Sequence, residues 1–165
     1  MKQIFHVLMF GLSLILFGGA HSTAQTTADN EMAWVTDQDD EFFYLAYSIP
    51  ESDQFAVAFA CEVKTKNTYV VLYETQGGAA KEGDKFEVTL QIGNVKTTTQ
   101  AQTSYDSDEE MLRSVAPLKA DDPIFTAIED GQKLDIIRSN KTVSYPLTEA
   151  ADRLAEFRDG CSRIQ

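Results

Sequence analysis

The segment from Phe86 to Ala101 constrains the fold more than any other. Gly93-Asn94 sits at its centre, and a glycine at the first central position suits a type II′ turn, whose twist matches that of two antiparallel strands. Setting Ile92 opposite Val95 places Leu90 beside Thr97, Val88 beside Thr99 and Phe86 beside Ala101, all on one face. The other face then carries Gln91 with Lys96, Thr89 with Thr98 and Glu87 with Gln100. A slip of one residue would turn every side chain to the wrong face, so the pattern dictates the register as well as the hairpin.

The flanking segments read as further short strands. Phe55 to Cys61 alternates large and small side chains, which puts Phe55, Val57, Phe59 and Cys61 on one face and only alanines on the other. Both faces of such a strand can be covered, which marks it as central. After the polar turn Lys64-Thr65-Lys66-Asn67, residues 69–74 form the returning strand, rich in β-branched and aromatic residues. Gly77, Gly78 and Gly83 mark a connection, and Met111 to Leu118 supplies another strand. Asp122 is placed to cap a short helix with Pro123 at its first position and Gly131 as its stop. Leu134 to Arg138 and Thr142 to Tyr145 pair across Ser139-Asn140-Lys141. Thr148 is the expected cap of a final helix whose Ala150, Leu154, Phe157 and Cys161 fall on one side. The expected architecture is mainly β: an antiparallel β-sandwich or a partly closed barrel, with a short helix and a C-terminal helix.

The N-terminus has the three parts of an export signal: Lys2, an apolar run from Ile4 to Phe17, and a small-residue exit through Ala20 to Ala24. Cleavage after Ala24 removes residues 1–24, leaves 25–31 as a mobile lead-in, and makes 32–165 a single domain. The apolar run is too short for a membrane span, and no span remains after cleavage. A periplasmic or secreted location follows. The leader takes with it both histidines, His6 and His21, and only Lys2 among the charged residues, so 13 basic residues face 26 acidic ones for a net charge of −13. That sign repels nucleic acid and anionic membrane surfaces. In an oxidising compartment Cys61 and Cys161 are expected to form a disulfide, closing a loop of about 100 residues.

Chemistry has few footholds in what remains. Without histidine the mature chain has no serine–histidine–aspartate triad, and with both thiols in a disulfide no transition-metal ligand set is expected. Catalytic residues, metal and cofactors are therefore all expected to be absent. The acidic runs Asp37-Gln38-Asp39-Asp40-Glu41 and Asp106-Ser107-Asp108-Glu109-Glu110 lack the glycine and distal glutamate of a calcium loop, since Ser48 and Pro117 stand at the terminal positions. They read as solvated loops. Asp37, Asp39, Asp40, Glu41, Asp108 and Glu109 are the candidate contacts for a partner, with Trp34 and Tyr105 beside them; Trp34 belongs to the edge of the core.

Phe59-Ala60-Cys61-Glu62, the Val70-Val71-Leu72-Tyr73 strand, Ala120-Asp121-Asp122-Pro123-Ile124-Phe125, Tyr145-Pro146-Leu147 and a helix ending in Cys161 together resemble a group of small exported bacterial β-rich proteins of unassigned function. A looser similarity links the chain to periplasmic lysozyme inhibitors of the small β-barrel type, although their serine-glycine inhibitory loop is absent here. These resemblances imply a bacterial exported β fold. The expected function is a non-catalytic protein-binding or envelope accessory domain that meets a basic exported protein. The alternatives are a periplasmic enzyme inhibitor and a carrier holding a small apolar ligand among Phe55, Phe59, Tyr69 and Phe86.

Overall fold

The computed structural model describes residues 32–52, 55–73, 80–107, 110–139 and 141–163. The leader, the lead-in, Gly77-Gly78, Asp108 and Glu109 lie outside the described residues. Nine strands form one antiparallel sheet: β1 (Ala33–Gln38), β2 (Phe42–Ser48), β3 (Phe55–Glu62), β4 (Thr68–Tyr73), β5 (Lys85–Ile92), β6 (Val95–Asp106), β7 (Met111–Leu118), β8 (Lys133–Arg138) and β9 (Lys141–Pro146). Their order across the sheet is β1-β2-β3-β4-β7-β6-β5-β8-β9. The sheet curls into a half-barrel around helices α1 (Pro123–Asp130) and α2 (Ala150–Arg163), so the partly closed barrel describes it rather than the two-sheet sandwich.

The β5–β6 hairpin has the register that its alternation requires, from Ile92 opposite Val95 to Phe86 opposite Ala101. Gly93 takes the left-handed φ of 56° that the turn demands. Val88, Leu90 and Ile92 are buried, while Lys96, Thr98 and Gln100 face water.

The inner face of the sheet and the two helices share one core. Val57, Phe59 and Cys61 of β3, Val70 and Leu72 of β4, and Leu134 and Ile136 of β8 meet Ile124, Phe125 and Ile128 of α1 and Ala150, Leu154 and Phe157 of α2. Burial of this apolar surface is the main drive for curling the sheet over the helices. Asp122 caps α1 by accepting from the Ile124 amide at 3.0 Å, and Thr97 donates to the same oxygen.

One helix-end expectation holds and one is corrected. Gly131 ends α1 as expected, with φ −75° and ψ 153°. A Cβ there would lie 2.5 Å from Ile92 Cγ2 and 2.8 Å from Leu147 Cδ1, and the glycine is needed for close packing. Glu149, at φ 64°, rather than Thr148, immediately precedes α2. The chain must turn sharply there to bring α2 back across β1 and β2.

Cys61 and Cys161 are joined, with Cα atoms 5.9 Å apart, which fastens the end of α2 to the central strand β3. Gly160 makes the approach possible, because a Cβ at that position would collide with the Phe43 ring at 2.6 Å. Trp34 is buried at 2% exposure, stacked near Phe59 and tilted against Tyr47, as a residue of the core edge.

Candidate functional site

The outer face of the sheet, opposite the helices, carries a second apolar cluster. Its base is Ala46, Ala58, Ala60 and Val71, all buried, and Phe42, Tyr44, Phe55 and Tyr73 pack against them. The alternation of β3 explains the alanines: small side chains on this face leave room for rings from neighbouring strands to lie over them. Phe55 is the exception to that alternation. Ser48 pairs with Phe55 and Tyr47 pairs with Val57, which leaves Ala56 as an extra residue without a cross-strand partner. This bulge turns Phe55 away from Val57, Phe59 and Cys61 and onto the outer face, where it stacks on Tyr73 with ring centroids 5.2 Å apart.

That reversal also breaks up the expected ligand cavity. Phe55 and Tyr69 stand on the outer face, Tyr69 edge-on to Phe42. Phe59 packs inside against Phe125, and Phe86 packs on the inner core beneath the Arg138 guanidinium, 3.6 Å from its ring centre. These four rings cannot line one pocket.

The outer face does hold a groove of about 530 Å³. Asp37 comes from the end of β1, and Asp39 and Glu41 from the β1–β2 turn; Phe42, Tyr44, Phe55 and Tyr73 supply aromatic walls; Tyr105, Asp106 and Arg113 come from β6 and β7. The two acidic runs, which sequence could only treat separately, thus meet around aromatic rings. Tyr105 is 52% exposed, but it alternates with Asp106 and shares the face of Thr103, so its ring is directed away from the outer-face walls. Asp40 is exposed on the same turn but does not line the groove, and Asp108 and Glu109 lie outside the described residues.

The carboxylates in the groove are not equivalent. Asp39 Oδ1 accepts from the Glu41 and Phe42 amides at 2.7 and 2.6 Å, and its Oδ2 accepts from the Tyr44 hydroxyl at 2.9 Å. Partial burial alone would raise its pKa, but these bonds and the nearby Arg113 charge hold it below the usual carboxylate value. Burial, followed by the Asp39 bond and charge, pushes the Tyr44 hydroxyl well above the ordinary phenol range. Asp39 is therefore the residue that shapes the turn. Asp106 is ion-paired with Arg113 at 2.8 Å, and Arg113 Nε is buried without a hydrogen-bond partner. Asp37 accepts the Gln38 amide at 2.7 Å, and among the described residues no cation pairs with Asp37 or Glu41. These two carboxylates keep their charge available at the rim.

Among the described residues no group of three or more histidine, cysteine, aspartate or glutamate side chains is arranged to hold a metal ion. No helix among them is long and apolar enough to cross a membrane.

No family model matches the chain. No curated protein matches it significantly. Among solved structures, the crystal structure of invasion associated protein B from Bartonella henselae is similar at a TM-score of 0.43 and 13% identity, covering 78% of this chain and 96% of that one.

Proposed function

We propose that the chain is an exported, non-catalytic domain that binds a basic protein through the groove on the outer face of its half-barrel. One observation carries this reading: the turn between β1 and β2 and the ends of β6 and β7 bring aromatic rings and carboxylates into one open groove, and Asp37 and Glu41 there have no cationic partner among the described residues. An acidic groove of this kind steers a basic partner and excludes an acidic one. The aromatic walls supply the apolar contact that charge alone lacks. The disulfide and the buried inner core support a rigid platform for such a surface.

Affinity capture from the native envelope, with the mature protein as bait, tests the reading. The expected result is a basic protein retained by the wild type and lost with the double substitution Asp37→Asn, Glu41→Gln. Capture that is indifferent to this substitution, or a small apolar molecule retained in place of a protein, would overturn it.

A further inference from the structure

Building on the groove as an interaction surface, we infer that it recognises lysine side chains of an extended basic segment, whose ammonium groups sit at the Asp37 and Glu41 rim and whose stems lie against the aromatic walls of Phe42, Phe55 and Tyr73. The carboxylates divide the work. Asp106 is already matched by Arg113, and Asp39 is already held by two amides and a hydroxyl. Two negative charges, on Asp37 and Glu41, are left facing the same space. A cation fits that space better than a neutral or anionic group.

The walls point to the same chemistry. Tyr73 stacks with Phe55, and Phe42 lies against Tyr44 with centroids 5.8 Å apart, so the groove presents ring faces and edges that attract cations through their quadrupoles. Tyr73, partly exposed on this face, is a ring an incoming chain reaches from the groove. A lysine stem covers apolar surface while its head stays at the charged rim. The fold already contains one such pairing elsewhere, the Arg138 guanidinium over Phe86. Side-chain recognition on this face also fits the sheet topology, because β2, β3, β4 and β7 each have a neighbour on both sides and offer no free backbone edge for strand addition.

The test is calorimetric titration of the full mature domain with a short peptide of alternating glycine and lysine, against the same peptide acetylated at every Nζ, near physiological salt. The unmodified peptide is expected to bind and the acetylated one to bind at least about tenfold more weakly. Tyr73→Ala, which leaves the net charge unchanged, should weaken binding about fivefold, whereas Tyr73→Phe should retain it. Asp37→Asn with Glu41→Gln should weaken it by about as much. Glu87→Gln with Asp130→Asn, an equal charge change at exposed positions away from the groove, should have a much smaller effect. Equal binding of the two peptides, or no loss with Tyr73→Ala in a variant of native circular dichroism, would overturn lysine recognition here. If the peptide fails while groove-dependent capture of a basic protein succeeds, the binding function stands and this inference falls. If the peptide binds and no protein is captured, the inference stands and the proposed function falls.

Discussion

The indole Nε1 of Trp34 donates a 2.7 Å hydrogen bond to the carbonyl oxygen of Pro146, 112 residues away. Trp34 lies on β1 and Pro146 on β9, the two outermost strands of the nine. Tyr47 and Tyr145 reinforce the approach, with ring centroids 5.5 Å apart. The bond therefore holds the two edges of the curled sheet near each other where no strand ladder does so.

Trp34→Phe keeps a ring in the core but removes the donor. It is expected to destabilise the domain by about 1–3 kcal/mol, since the Pro146 carbonyl loses its partner and the smaller ring leaves space. Urea unfolding followed by far-ultraviolet circular dichroism would measure this; an unchanged midpoint would show that the edges are held by packing alone.

Gly131 and Gly93 offer a contrast between packing and backbone. At Gly131 the backbone suits any residue, but an added methyl meets Ile92, Leu147 and the Ala127 carbonyl oxygen within 2.8 Å. Gly131→Ala is expected to cost about 1–3 kcal/mol through overpacking. At Gly93 nothing lies within 4 Å of an added methyl, and only the positive φ opposes it. Gly93→Ala should cost about 1 kcal/mol, and Gly93→Asn less, because asparagine tolerates that region. Thermal unfolding of the three variants gives the ranking directly.

The disulfide spans 100 residues of sequence. In the chain-entropy model a loop of that length stabilises by about 4–5 kcal/mol. Intact mass of the unreduced protein is expected to fall two hydrogens below the dithiol form, and Cys161→Ala should lower the unfolding midpoint markedly. Two freely alkylated thiols in the native protein would contradict the bridge.

Asp39 couples stability to pH. Its folded-state pKa lies below the ordinary value of 3.8, so folding favours the ionised form. The contribution is fully present above that ordinary value and is lost as pH falls through the lowered folded value. Asp39→Asn is therefore expected to flatten this part of the acid limb of the stability curve below about pH 4. Denaturant midpoints at a series of acid pH values would reveal it; parallel curves for both proteins would mean that the turn does not depend on the charge.

Local alternation makes much of this fold legible in the sequence. The Phe86–Ala101 hairpin could be registered residue by residue because its polar and apolar sets separate in only one register, and the Asp122-Pro123 helix start is likewise a local signal. The groove was less legible. Its acidic residues and Tyr105 stand out in the sequence, but their meeting depends on β4 pairing with β7 rather than with its sequence neighbour β5, and on the bulge at Ala56 that reverses Phe55. A bulge leaves no sign in the spacing of large and small residues, so strict alternation assigned Phe55 to the core. Arg113 and Asp106 are paired across the β6–β7 turn, a match that neither acidic run discloses by itself.

The proposed binding of a basic partner in the groove would show two separable kinetic effects. Asp40 is exposed beside the groove without lining it, whereas Tyr73 lines it on the outer face. Asp40→Asn should act only through the long-range field, slowing association at low salt and having little effect once salt shortens the Debye length to about 8 Å. Tyr73→Ala should leave association nearly unchanged and speed dissociation, because it removes short-range contact area. Surface-plasmon kinetics against a basic protein recovered by the capture experiment, at low and near-physiological salt, distinguish the two. If Asp40→Asn altered dissociation as strongly as Tyr73→Ala, the partner would sit over the tip of the β1–β2 turn, and the contact surface would have to be redrawn around Asp40.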